Sequence, residues 1–321
     1  AYSNIKHTQM KKLIFSVALL SAALSASAEE HPLWMRYPAI SPDGTTIAFA
    51  YKGDLYSVSV NGGEARQLTT HAAFDSHPVW SPDSKKIAFQ SNREGSLDIF
   101  VIDAKGGALT RLTTNSGSET PIAFADNDHV LYSASLQPTA QSIIFGDNTF
   151  PQVYKVSTKG GRPELFSTLT MENISIAKNG DILYHDKKGY EDPWRKHQKS
   201  PIARDIWLKS NGKFAKQTTF AGEDRSPVWT SDEKSFFYLS EQDGTFNIYR
   251  RSLNSSSDKQ ITHHKGNPVR FLTASSTDLL CYGYDGEIYT VKEGGEPQKV
   301  NISITTCLLY TSPSPRDRSL S

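Results

Sequence analysis

The sequence predicts an all-β fold, a six-bladed β-propeller of four-stranded antiparallel blades, on three observations. First, a phrase recurs. "SPDGTTIAFAYKGDLY" (Ser41 to Tyr56) returns as "SPDSKKIAFQSNREGSLDIF" (Ser81 to Phe100). Second, the aromatic that ends a D-I-Y-like triplet appears at Tyr56, Phe100, Tyr154, Trp207, Tyr249 and Tyr289, at intervals of 44, 54, 53, 42 and 40 residues. Repeats of about 40–45 residues written in strands mean propeller blades. Third, 14 Tyr and 15 Phe in 321 residues favour strands.

Each unit reads as four strands, A to D. Strand A carries a Pro (Pro38, Pro78, Pro121, Pro227, Pro268) and leads into a turn such as "SPDG", "SPDS" or "TSDE". Asp in such a turn hydrogen-bonds its own backbone, and Pro presets φ. Strand B alternates: "TIAFA", "KIAFQ", "HVLYS", "DILYH", "SFFYL", "LLCYG". Strand C ends in the periodic aromatic. A Gly-Gly or Asn-Gly hairpin follows (Gly62–Gly63, Gly106–Gly107, Gly160–Gly161, Asn211–Gly212, Gly294–Gly295) and leads to strand D, which ends in "QLTT", "RLTT", "QTTF" or "QITH". Six units fill Pro38 to Val300, whole at both ends, so blade 1 is expected to pack on blade 6 without a swapped strand. The segment "HPLWMRY" (His31 to Tyr37) is the place where a first strand could hide.

Residues 10–28 have the grammar of a secretory signal peptide. Two lysines precede an apolar run from Leu13 to Leu24, and "SASA" precedes Glu29, which places cleavage between Ala28 and Glu29. About twelve apolar residues are too few to span a bilayer, so no membrane span is expected and the destination is export, most readily the periplasm. Residues 1–9 read as translated leader. Residues 304–321 leave the repeat grammar and read as an artefactual tail, like translated adapter sequence. The propeller is therefore expected over 29–303, as the amino-terminal fragment of a longer protein.

Setting aside residues 1–28 and 304–321, with their five basic and one acidic residues, leaves 30 basic and 33 acidic. No basic stripe argues for a nucleic-acid partner. Only Cys281 lies in the body, so an exported domain here must be held by core burial rather than disulfides.

Two units are about ten residues too long, both between strands B and C: Tyr132 to Val153 in blade 3 and Tyr184 to Asp205 in blade 4. These loops emerge side by side on one side of the disc, and such insertions often mark the binding side of a repeat array. The blade 4 insertion is cationic, with Lys187, Lys188, Arg195, Lys196, His197, Lys199 and Arg204 around Trp194. It reads either as a lip for a peptide terminus or partner, with Trp194, Arg195, Lys196, His197 and Arg204 as candidate binding residues, or as a solvated loop in which Arg204 and Asp205 pair locally.

"YEDPWRKHQKSPIARDIW" (Tyr190 to Trp207), set in six blades behind a signal peptide, resembles the tricorn proteases in their secreted bacterial branch. The resemblance covers roughly residues 31–303, and Trp194-Arg195-Lys196-His197 and Arg204-Asp205-Ile206-Trp207 carry its most specific text. It implies a continuation: a seven-bladed propeller, a PDZ-like domain and a serine peptidase core, in an enzyme that assembles as a homo-oligomer. Propellers of that family are thought to channel peptide rather than perform chemistry. Two alternatives stand beside it, a TolB-like periplasmic binding propeller and the propeller lid of a prolyl-oligopeptidase-like enzyme.

No catalytic residue, metal site or cofactor is expected within the segment. There is no Gly-x-Ser-x-Gly elbow, His-Glu-x-x-His, Cys-x-x-Cys or phosphate loop. His263 and His264 should point to opposite sides of an extended chain. "FDSHPVW" (Phe74 to Trp80) contains Asp, Ser and His, but neighbours in one strand rarely meet as a triad. His77 aligns in sequence with Ser226 and Thr120. "DND" (Asp126 to Asp128) reads as an A–B turn rather than a calcium loop.

Overall fold

The computed structural model describes residues 32–136, 150–189, 197, 199–253 and 255–305. Pro32–Ile302 forms one compact unit. It contains six four-stranded antiparallel sheets, each made of four strands in the order A-B-C-D. Strand A is Arg36–Ile40, Asp75–Trp80, Glu119–Asp126, Met171–Ile176, Asp224–Trp229 and Arg270–Ala274 in blades 1 to 6. These strands neighbour one another in sequence order, and blade 6 returns to blade 1, so they line the axis. No described residue is helical. Blade 1 begins at the end of "HPLWMRY", and its four main strands are consecutive, but closure is not strand-free as expected: Ile302–Ser303, after blade 6, pairs with Gly63–Glu64 of blade 1 in a two-stranded sheet.

The alternation of strand B explains why the blades need each other. Residues on both sides of a blade are apolar, and five core clusters each straddle two successive blades. Phe89 and Trp80 of blade 2, for example, pack with Ala39 and Leu55 of blade 1. Phe49, Phe89, Tyr132, Phe236 and Tyr282 are fully buried. Each such aromatic contributes about 1.5–3 kcal/mol of burial.

The repeated turn has a repeated mechanism. Ser41 Oγ donates to Asp43 (2.5 Å), while Asp43 accepts the Thr45 N–H and Ser41 Oγ accepts the Thr46 N–H. Ser81/Asp83 and Thr230/Asp232 repeat the arrangement. The "LTT" ending is equally physical. Thr69, Thr113, Thr218 and Thr262 each accept, through Oγ1, the N–H of a residue in or at the start of strand C.

Neighbouring A–B turns are also stitched together. The Asp43 N–H donates to Ser84, the Asp83 N–H to Asn127, the Lys178 N–H to Glu233 and the Ser231 N–H to Asp278. At closure, the Ser276 N–H donates to the Pro42 carbonyl (2.8 Å) and the Ile40 N–H to Thr273 (3.1 Å). The chain leaving blade 6 reaches blade 1 again, where the Gly63 N–H donates to the Asn301 carbonyl (2.9 Å).

That contact singles out one glycine. Gly62 has φ +84°, and a Cβ there would press into the Asn301 carbonyl; Gly180 has φ +87° but open space around it. Both substitutions to Ala incur the left-handed penalty of about 1–2 kcal/mol, and only one clashes at closure. Gly62→Ala is expected to lower the urea-unfolding free energy by about 1–3 kcal/mol more than Gly180→Ala. Equal losses would show that closure does not depend on this contact.

Candidate functional site

Strand A cannot be a regular strand and also shape a channel wall. In every blade it carries an extra residue against strand B, a β-bulge, and in blade 3 a second one nearer the A–B turn. The residue at the bulge is left-handed in five blades: Tyr37 (φ 54°), His77 (54°), Asn173 (48°), Ser226 (51°) and Phe271 (59°). Each is strained by about 1–2 kcal/mol. Blade 3 places Pro121 at this register position, and a proline ring cannot adopt positive φ.

The register corrects two sequence alignments. Thr120 pairs at the position of Ser76, not His77. Pro38, Pro78 and Pro227 share one position after the bulge, Pro121 sits one residue earlier, and Pro268 precedes strand A altogether. Prolines recur here because they mark an irregular strand, and the bulge shifts them by one.

The bulge residues line a central cavity of about 710 Å³ that touches strand A of all six blades. Its wall at blades 4 and 5 is charged. Glu172 of blade 4 accepts Arg204 Nε (3.1 Å) and lies 3.1 Å from His185 Nε2, with Lys187 Nζ 3.9 Å away. Arg204 also donates to Glu223 (3.4 Å), which accepts Arg225 Nε. His185 Nδ1 accepts the Ser226 N–H (3.0 Å), so the neutral imidazole carries its proton on Nε2 and donates to Glu172. Burial pushes the His185 pKa down. Burial would raise the Glu172 carboxyl, but the His185 hydrogen bond and the Arg204 and Lys187 charges outweigh it and bring it to about 2.

Arg204 is therefore 5 % exposed and faces the cavity rather than standing on a lip. It does not pair with Asp205, which binds Lys188 and Lys216 instead. Successive residues of an extended chain point to opposite sides. His197 is exposed, and its N–H donates to the buried Glu241 of blade 5 (2.7 Å). Lys188 donates to the Ala203 carbonyl. Much of the insertion's described positive charge is thus spent within the fold. Trp194, Arg195 and Lys196 lie outside the described residues, as do Ala28 and Glu29.

The other sequence candidates resolve simply. Ser76 Oγ lies 3.1 Å from His77 Nδ1, but Ser76 is fully buried and Asp75 is held by Arg93 (2.8 Å). His264 stacks on Tyr284 and bonds Tyr282, while His263 is exposed. Asp126 caps its own A–B turn by accepting the Asp128 N–H. Among the described residues no group of three or more His, Cys, Asp or Glu could hold a metal, and no helix is long and apolar enough to cross a membrane.

Two predictions follow from these charges. Arg204→Ala leaves buried Glu223 and half-buried Glu172 short of a cation, so it should destabilise the fold by about 3–5 kcal/mol in urea titration; a loss under ~1 kcal/mol would place Arg204 in solvent. Burial, with Ser240 and Thr218 opposing, lifts the Asp224 carboxyl to about 7. The native state then holds more protons than the unfolded chain between about pH 4 and 7, so Asp224 contributes a fall in stability as pH rises through that window. Glu172 acts in the opposite sense, and its contribution is lost as pH falls from about 4.5 toward 2. Asp224→Asn should flatten the decline between about pH 4 and 7, and an unchanged slope would refute the assignment.

Comparison with known proteins agrees with this geometry. The tricorn protease N-terminal beta propeller domain family matches residues 32–296. The chain is 25% identical over 280 residues to tricorn protease homolog 1 of Streptomyces coelicolor, covering 85% of this chain and 25% of that protein. It is 28% identical over 264 residues to the tricorn protease of Thermoplasma volcanium, covering 78% and 24%. In structure it resembles tricorn protease (TM-score 0.71, 19% identity, 86% of this chain and 27% of that one) and TolB from Acinetobacter baumannii (0.59, 13%, 89% and 68%). It spans about a quarter of the length of the tricorn relatives it matches. The chain belongs to the tricorn protease N-terminal β-propeller family.

Proposed function

We propose that this chain is the non-catalytic, peptide-guiding propeller of a tricorn-like serine peptidase. The observation that carries the reading is the open cavity at the centre of the ring, lined by strand A of every blade. Peptide would be gated or guided there, while hydrolysis through an acyl-enzyme belongs to further domains of a longer chain. Family membership supports this, as does the length of the relatives, about four times the matched segment. The described ends of the two long B–C connections, Ser135 and Pro151 in blade 3 and Lys187 and Arg204 in blade 4, line the cavity together with the bulge residues. Residues 10–28 support export to the periplasm, and the full-length enzyme would assemble as a homo-oligomer.

A photo-crosslinking residue at Asn173, inside the cavity, and another at Phe214, on the outer rim, separate guidance from non-specific stickiness. Unfolded casein is expected to crosslink at position 173 several-fold more than at 214, and to remain uncut. Equal labelling would overturn the channel reading. Turnover of casein by the chain, abolished by a serine-reactive inhibitor, would overturn the non-catalytic one.

A further inference from the structure

The six bulge positions are not chemically equivalent. Three aromatic rings occur in consecutive blades: Phe271 in blade 6, Tyr37 in blade 1 and His77 in blade 2. The Tyr37 ring lies 4.8 Å from Phe271 and 3.8 Å from His77, centroid to centroid. The three rings thus form one continuous arc. The sixfold order sets Pro121, Asn173 and Ser226 across the axis, opposite Phe271, Tyr37 and His77 in turn. All six line the same cavity.

The polar wall is held in place from behind. His185 fixes Ser226 through its backbone and lies 3.5 Å from Asn173 Nδ2. The His77 ring itself is neutral, because burial pushes its pKa down to about 4, and the charge on this side comes from Arg270, which lines the cavity beside Phe271. One side of the slot therefore offers flat π surfaces edged by Arg270, and the other offers amide, hydroxyl and ionic groups without aromatic rings at the bulge.

We propose that the Phe271–Tyr37–His77 arc is a seat for an aromatic side chain of a peptide lying in the channel, with the peptide backbone turned toward Asn173 and Ser226. The inference rests on the reading that the channel admits polypeptide, and it names what the channel holds. An extended peptide suits this slot because it carries both chemistries at once, an apolar side chain and a polar backbone. The cavity volume falls within the range of sites that enclose small ligands or a few residues. Offset or edge-on ring packing against Tyr37 and Phe271 supplies the preference for a planar group over an aliphatic one. A left-handed backbone at all three positions aims these rings into the axis, where a regular strand would alternate them away.

The test uses the whole chain and fluorescein-labelled pentapeptides of the form Gly-Gly-X-Gly-Gly, with X as Phe, Leu or Ala, read by anisotropy. The Phe peptide is expected to bind about five- to tenfold tighter than the Ala peptide, with Leu between. Tyr37→Asn and His77→Asn remove rings while supplying a residue that tolerates positive φ, so the bulge is kept. Each should bring the Phe peptide to within about twofold of the Ala peptide. On the unaltered chain, the bound Phe ring protons should shift upfield in NMR through the ring currents of the arc. Equal binding of Phe and Ala peptides, or Phe preference retained in both variants, would overturn the arc and leave peptide guidance standing. Failure of every peptide to bind would overturn both.

Discussion

A four-stranded blade of this chain is apolar on both sides and cannot cover either by itself. Everything else follows from that constraint. A blade pair covers one side of each partner, as Trp80 and Phe89 do against Ala39 and Leu55, but a row of blades always leaves two outer sides in water. Only a closed ring covers all of them, and a ring of sheets has an axis that no side chain fills. The cavity is therefore a consequence of core burial, not an addition to it. The same logic explains why hydrogen bonds cross the blade boundaries at the turns and why closure combines short contacts, Ser276 to Pro42 and Gly63 to Asn301 among them, with the two-residue pairing of Ile302–Ser303 on Gly63–Glu64.

Closing the ring creates a second problem, at strand A. Six inner strands converge, and a regular pleat would turn every second side chain away from the axis. The bulge changes that alternation by rotating the chain locally, at the cost of a left-handed residue in five blades. That cost is repeated at one register position, where it determines which side chains reach the axis. Each blade then makes its own choice of residue: a ring in blades 6, 1 and 2, an amide or hydroxyl in blades 4 and 5, and Pro121 in blade 3. Architecture sets the positions, and side-chain choice gives the wall its chemistry.

This division explains what could be read from the sequence. The blade count, the strand order, the Asp-based turns and the glycine hairpins are local and periodic, and each has the form the sequence predicts. The B–C insertions were equally legible as excess length. The bulge was not, because one extra residue leaves no trace in an alternating pattern and shifts the prolines between positions without warning. Neither was the Glu172–His185–Arg204–Glu223 network. Its members lie up to 51 residues apart in two blades, and nothing in "SPIARDIW" says that Arg204 turns inward while Asp205 meets Lys188 and Lys216. A signal did exist in retrospect: an arginine directly before the repeated D-I-W grammar of strand C.

Position-equivalent residues also show how far a repeat can diverge while its backbone stays fixed. Asp75, Glu119 and Asp224 occupy the same place at the start of strand A in blades 2, 3 and 5, and all are buried. An uncompensated carboxylate there would be severely destabilising. Blade 2 answers with Arg93, whose Nη2 donates to both Asp75 oxygens and whose guanidinium lies over the Phe100 ring. Blade 3 answers with the Thr113 hydroxyl, and burial foremost, with the Asp98 charge, lifts Glu119 to about 7. Blade 5 leaves Asp224 with no strong cation, and burial lifts it likewise. The acid in blade 2 is neutralised by an ion pair, and those in blades 3 and 5 by holding a proton near neutrality. Blades 1, 4 and 6 dispense with the acid and place Met35, Met171 and Val269 at this position. A ring in which half the blades carry a buried acid is therefore asymmetric in its response to pH even though its backbone is nearly sixfold, and that asymmetry lies against the same inner strands that shape the channel.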